Sequence, residues 1–383
     1  MKIYDFLIIG AGSAGCNSAS YLQKRGFKVA IADKEGIASG GSGAAGAFLS
    51  PLAGVENSYN RFINSALEYA LDFYETMTPQ EIVKKGVLRV ANDNFDTTKL
   101  QTNSIKNRYI STKKLKEISQ NFAQIDGYFY ENAAILNPHV VCKELIKKCD
   151  FYSLHVEVLR YEDGFYIFDD FKAKHIILAQ GVIKSIIATP YIEIAPIFGV
   201  KIDVKTTTKV PFNIHKSISI STNKKDSTLS IGATKERHDT SKMECLTSCD
   251  KCSFYINSEQ GQVEELLREA NELIKLENLE VTKIYRGARA TIKSYFPVIG
   301  KVIDYDASIK KYPSIKNGTK IPPELLTYFP NLYIINALGS RGFVVAPLLA
   351  KLLCEEILDS CKIPQELSSE KLFYKMARAK VST

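Results

Sequence analysis

Two runs of small residues in this 383-residue chain stand where an apolar strand gives way to a helix. One is Gly10-Ala11-Gly12-Ser13-Ala14-Gly15, the other Gly339-Ser340-Arg341-Gly342. Glycine at such a turn lets the backbone approach a bound group closely, and the N–H groups of a starting helix favour negative charge. Gly10, Gly12 and Gly15 have the G-x-G-x-x-G spacing of a turn that cradles a pyrophosphate. The first glycine serves the tight turn, the second the approach of the phosphates, the third close packing of helix on sheet. Ser13 and Ala14 open that helix. Asp33 closes the next apolar strand about 20 residues on, where an acid hydrogen-bonds the adenosine ribose, and Lys34 follows it. These features together predict a bound dinucleotide.

A second small-residue run, "ASGGSGAAGAFLSPLAG" at residues 38–54, comes where a nicotinamide-binding domain would soon start another helix. Its flexible backbone suits a longer contact with the pyrophosphate and a flavin ring, through Ser42, Gly43, Gly46 and Ala47. FAD is therefore favoured over NAD. The apolar Ala44, Ala45, Phe48, Leu49 and Leu52 argue for burial rather than a mobile surface loop. Cys245, Cys249 and Cys252 have spacings tolerable for zinc, but only His238 stands near as a fourth ligand. Unpaired thiols in an irregular insertion are favoured over a metal site, and no metal is expected. His139, His155, His175 and His215 sit in ordinary strand or turn contexts and receive no role.

The elements that must hold these residues follow from periodicity. Phe6–Ile9 is a short continuous apolar run, as in a strand buried on both faces, and Phe27–Ala32 is the next strand after a helix that stops at Gly26. Asn57–Met77 carries Phe62, Ala66, Tyr69 and Phe73 at helical spacing. Residues 135–149 read as a turn and helix, and 154–181 as three strands, the last being Ile176–Leu178. Between about 190 and 290 the pattern changes to alternating strands, with a hairpin turning at Asn223–Asp226 and an amphipathic helix over Val263–Ile274. The fold class is α/β: a Rossmann-like FAD-binding domain of the glutathione-reductase type, interleaved with a substrate domain on a mixed or antiparallel sheet. The expected division is 1–80, 135–190 and 325–383 for the first, and 81–134 and 191–324 for the second.

Bulk properties narrow the class. A hydrophobic content of 45% supports a sizeable core, and no uncharged apolar run is long enough for a membrane span. Asp5 and the glycine run interrupt the only early apolar stretch, so no signal peptide is expected. Eight scattered cysteines fit a reduced, cytoplasmic protein. The net charge of +8 is compatible with a polyanionic partner, although on charge alone a solvated lysine-rich surface is favoured. The oligomeric state is unknown from sequence.

These segments, in this order, resemble the D-amino-acid-oxidase/glycine-oxidase superfamily of FAD-dependent amine oxidoreductases. The likeness is weakest over residues 85–130. "GATKERHDT" (232–240), "RGARATIKSYFPVIGKVIDYDA" (286–307) and "ALGSRGFVVAPLLAKLL" (337–353) are closest to the oxidoreductase half of the MnmC-type tRNA-modification enzymes. That half removes the carboxymethyl group from the carboxymethylaminomethyl side chain of wobble uridine (or its 2-thio form), leaving an aminomethyl group. The chain departs from the family pattern at Gly43-Ala44-Ala45-Gly46, where a polar pair is usual. It departs again at Thr291-Ile292-Lys293-Ser294, where "TRD" is usual.

The resemblance implies that Val156 holds the adenine through backbone contacts and that Ala179 and Gly181 line the pyrophosphate side. It implies too that Gly339, Ser340, Gly342 and Phe343 cradle the pyrimidine end of the flavin, with Arg341 turned to the substrate or flavin side. Amine oxidation by a flavin asks the protein mainly for orientation and electrostatics. A substrate carboxylate would be anchored economically by a bidentate arginine. Arg289 is the leading candidate, expected just after a strand and matching the family's carboxylate-binding arginine, with Arg286 behind it. No cysteine lies in 286–300, so noncovalent FAD is expected. The competing readings are an oxidase or dehydrogenase of free glycine, sarcosine or D-amino acids, and a non-catalytic flavin-bearing RNA-binding protein. The retained Arg289 and Arg341 argue against the latter.

Overall fold

The computed structural model describes residues 1–102, 105–224, 226–237 and 259–379. Cys245, Cys249, Cys252 and His238 lie outside the described residues. Lys2–Ile9 lies inside an eight-stranded sheet, flanked in parallel by Val29–Ala32 on one side and Phe171–Leu178 on the other. Asp150–Tyr152 extends the parallel set past Val29–Ala32, and Tyr328–Asn336 extends it past Phe171–Leu178. The strand expected at Ile176–Leu178 thus begins earlier, at Phe171. Val298–Ile303 joins the same sheet antiparallel to Tyr328–Asn336.

Alternation along Lys2–Ile9 explains why both faces are covered. Phe6 and Ile8 point into one apolar cluster, with Cys16, Ala19 and Leu22 of the helix Ser13–Lys24. Leu7 and Ile9 point into another, with Leu178, Val298 and Phe373. Helix Ser58–Met77 is capped by Asn57, whose side chain accepts the Asn60 N–H, and it shares the first cluster through Ile63, Ala66 and Leu67. Helix Gly342–Asp359 packs in the same layer through Phe343, Val344 and Leu349.

A nine-stranded sheet forms the second layer system. Ala195–Lys205 pairs antiparallel with both Thr228–Gly232 and the long strand Glu280–Thr291. From Thr228–Gly232 the order runs through Ser219–Ile220, Asn213–His215, Val87–Arg89 and Gly127–Tyr130 to Arg108–Ile110. The hairpin expected around Asn223–Asp226 is present as the antiparallel pair Ser219–Ile220 and Thr228–Gly232. The helix expected over 263–274 runs over Glu259–Asn271, with Leu266 and Ala270 buried against the sheet. The α/β class expected from sequence, a parallel sheet joined to a largely antiparallel one, is the observed architecture.

Candidate active site

One cavity of about 1170 Å³ runs from the Gly10–Gly12 turn, past Ser42–Ala47, to the face of the second sheet. Pockets for one small molecule usually measure roughly 300–1,000 Å³, so this one has room for a dinucleotide and a substrate.

Its floor is made of two helix starts. Gly12 precedes the helix Ser13–Lys24 and offers no side chain to cap it; Arg341, which precedes Gly342–Asp359, makes no side-chain cap either. The two ends abut, since a Cβ placed on Gly342 would stand 3.0 Å from Ser13 Oγ. Two uncapped positive helix ends side by side suit negative charge: the first suits a diphosphate at the glycine turn, the second the electron-rich end of a flavin ring. Ser42 closes it from the side, its Oγ accepting the Ser13 N–H at 2.8 Å. Asp33 stands at the strand end and lines the cavity. Its carboxylate accepts N–H groups from Ala11 (2.8 Å), Glu35 (2.9 Å) and Gly36 (3.2 Å). These features fit FAD, with the glycine turn at the phosphates and Asp33 at the ribose.

Of the residues assigned from sequence to the cofactor or to the substrate carboxylate, all line this cavity except Gly15 and Gly43. Both act one layer back. A Cβ on Gly15 would lie 1.9 Å from the Gly10 carbonyl oxygen, and one on Gly43 would lie 2.0 Å from that of Ala38. Gly10 itself has φ +111°, a region L side chains rarely adopt, and its missing Cβ makes room for the Ala179 carbonyl. Val156, Ala179 and Gly181 line the same cavity, as do Gly339, Ser340 and Phe343.

The far end is formed by cations. Arg289 lies within the strand Glu280–Thr291 rather than after it, because the pairing with Ala195–Lys205 continues to Thr291. Its Nη1 donates to the carbonyls of Phe198 (3.3 Å) and Thr234 (3.1 Å). The guanidinium lies over Gly199, where a Cβ would come within 2.8 Å of Nη1. Burial lowers its pKa below the usual arginine value, which means the charge is held at a desolvation cost. Arg341 Nη1 donates to the Ser50 carbonyl at 2.7 Å. Burial first, then the charge of Arg89, brings Arg341 down to about 10, still protonated at neutral pH. Neither arginine has an acidic partner in an ion pair among the described residues. Arg286 also lines the cavity.

Sequence reasoning missed Arg89, Lys235, Tyr59 and Gln180 on the same lining, and gave His215 no role although it lies there too. No local signal marks them: Arg89 ends a three-residue strand in an otherwise ordinary apolar run. Among the described residues no group of His, Cys, Asp or Glu could hold a metal ion, and no helix is long and apolar enough to cross a membrane.

Comparison with known proteins accords with this geometry. The DAO family, described as FAD dependent oxidoreductase, matches residues 5–356. The chain is 26% identical over 376 residues to the tRNA 5-methylaminomethyl-2-thiouridine biosynthesis bifunctional protein MnmC of Legionella pneumophila (strain Corby), covering 92% of this chain and 54% of that protein. It is 26% identical over 395 residues to the protein of the same name from Leptospira interrogans (serovar copenhageni, strain Fiocruz L1-130), covering 96% and 59%. The chain therefore spans little more than half the length of these relatives. Among solved structures, glycine oxidase from Geobacillus kaustophilus superposes with a TM-score of 0.73 at 17% identity, covering 95% of this chain and 96% of that one. That last likeness is one of fold.

Proposed function

Because the chain belongs to the DAO family and is an FAD-dependent oxidoreductase acting on CH–NH groups, we propose that its substrate is tRNA carrying a carboxymethylaminomethyl group on the wobble uridine. Two electrons and a proton leave the C–N unit, water hydrolyses the resulting imine, and the two-carbon unit departs as glyoxylate; the other product is the aminomethyl nucleoside, made in the cytoplasm. The observation that carries this reading is the run of cations at the substrate end of the cavity, Arg289, Arg341, Arg89 and Lys235. A free amino acid brings one carboxylate and one ammonium, whereas a carboxylate borne on RNA brings several anionic groups. The 26% likeness to proteins named for tRNA 5-methylaminomethyl-2-thiouridine biosynthesis points the same way.

Bound FAD supplies the two-electron acceptor. Gly10, Gly12, Ser13 and Ala14, with Ser42, hold its diphosphate, and Asp33 its ribose. Gly339–Phe343, on the cavity lining, would hold the ring, and the start of the helix Gly342–Asp359 would stabilise negative charge on it. Arg289 clamps the carboxylate of the amine substituent, which fixes the carbon to be oxidised in one place. Arg341, held by the Ser50 carbonyl, would present its charge to the flavin or the substrate. Tyr59 lines the cavity with Arg341, whose charge acts on it, and packs edge-on against Phe296 at 5.2 Å.

Cells lacking the protein should accumulate the carboxymethylaminomethyl nucleoside in their tRNA and lose downstream aminomethyl products, read by mass spectrometry of digested tRNA. Unchanged wobble nucleosides, with rapid flavin reduction by glycine or sarcosine, would favour a small-amine oxidase instead.

FAD is held without a covalent bond on this reading, since none of the described cysteines lines the cavity. Acid precipitation should leave a white pellet and a yellow supernatant; a yellow pellet would contradict it.

A further inference from the structure

The cations of the cavity come from two separate parts of the second sheet. Arg289 is on Glu280–Thr291, Arg89 on Val87–Arg89, and four strands lie between them: Ala195–Lys205, Thr228–Gly232, Ser219–Ile220 and Asn213–His215. Arg89 pairs in register with His215, His215 with Ser219, and Ser219 with Gly232, and this row across four adjacent strands lines the cavity. Lys235 follows shortly after Gly232, also on the lining. It directly follows Thr234, whose carbonyl accepts from Arg289 at 3.1 Å, and the charges of both Arg289 and Arg89 act on it.

Among the described residues, no acid on the cavity lining forms an ion pair with this row. Arg89 makes no ion pair among the described residues. Asp96, the acid whose charge reaches it, is off the lining and accepts from Asn92 at 3.0 Å. Glu269 reaches Lys235 but is also off the lining, where it accepts the Ser217 hydroxyl. Burial, then the charges of Arg89, Arg341 and Lys235, holds His215 well below the usual histidine range, so it is neutral and adds no third charge. Its Nδ1 is engaged by Ser219 Oγ at 2.6 Å. Two desolvated cations kept together without a counter-charge cost stability unless a ligand supplies it.

Resting on the reading of this cavity as the site of an RNA-borne amine, we infer that Arg89 and Lys235, with His215 between Arg89 and Ser219, form a second oxyanion subsite, which takes a phosphate of the nucleotide being modified while Arg289 takes the carboxylate. The subsite discriminates between substrates. A zwitterionic amino acid fills only the Arg289 end and leaves the Arg89 end uncompensated. A nucleotide fills both.

The test is calorimetric titration of the FAD-loaded protein at constant ionic strength, with inorganic phosphate and with acetate as separate probes. Arg89→Gln and Lys235→Gln should each weaken phosphate binding at least tenfold and leave acetate within twofold. Arg289→Lys should do the reverse. Flavin content and circular dichroism confirm that each variant is folded, and Lys235→Gln carries the test if Arg89→Gln is not. Loss of both anions together in every variant would mean a single anion site and overturn the inference, as would unchanged phosphate binding in both the Arg89 and Lys235 variants. The tRNA reading fails separately: phosphate bound through Arg89 by a protein whose absence leaves tRNA nucleosides unchanged would retain the subsite and retire the RNA substrate.

Discussion

Gly15→Val should give a protein that emerges from purification without flavin colour. Gly15 does not touch the cavity; its place is beneath the turn that does. A Cβ there would stand 1.9 Å from the Gly10 carbonyl oxygen and 3.1 Å from Ile8 Cγ2. Gly10 cannot yield, because its N–H donates to Ala32 at 2.8 Å and its φ of +111° is set by the turn. The helix start must therefore move away from the strand, carrying Gly12 and Ser13 out of line with Ser42 and Gly342. Diphosphate binding depends on those positions to within a fraction of an ångström. Gly12→Val is a milder structural insult, since its Cβ meets only the Ser42 side chain, at 3.0 Å, although it intrudes on the phosphates directly. The ratio of flavin absorbance to protein absorbance checks both. A Gly15→Val protein with full flavin content and an unchanged melting temperature would show that the turn does not hold the cofactor.

Arg289→Lys should keep FAD and the fold and lose most turnover. The guanidinium lies over Gly199 and is tied to the carbonyls of Phe198 and Thr234 through Nη1, which leaves the remaining N–H groups to form a fork. Lysine restores the charge but neither the fork nor its fixed orientation. Leaving a desolvated charge without its partner costs about 2–5 kcal/mol, equivalent to a fall in kcat/KM of roughly 30-fold to several thousand-fold. Stopped-flow reduction of the flavin at low substrate measures this without interference from later steps. Reduction as fast as in the unmodified protein would remove Arg289 from the carboxylate and make Arg286, on the same strand and the same cavity, the next residue to vary.

The Gly10–Gly15 turn, Asp33 and the α/β class are legible in the sequence because their signals are local. A strand, a glycine turn, a helix and a second strand follow one another without interruption, and steric rules within that span dictate the residue types. The helix Ser58–Met77 is legible for the same reason, through its apolar spacing; its Asn57 cap came to light only in the structure. Arg289 could be singled out, but its place inside the strand could not, since the strand's end depends on how far Ala195–Lys205 pairs with it. Gly15 and Gly43 show the same limit: sequence marks where a side chain is forbidden, while only packing tells whether a ligand or the chain's own carbonyl forbids it. Arg89, His215 and Lys235 were beyond reach altogether. Each ends or follows a short strand with no motif around it, and they become neighbours only through the register between strands distant in sequence. Local sterics and periodicity thus determined the nucleotide turn and the fold class. Where the cations converge was decided by tertiary pairing, because hydrogen-bond register between remote strands is set by the packing of the whole sheet and not by the residues it happens to align.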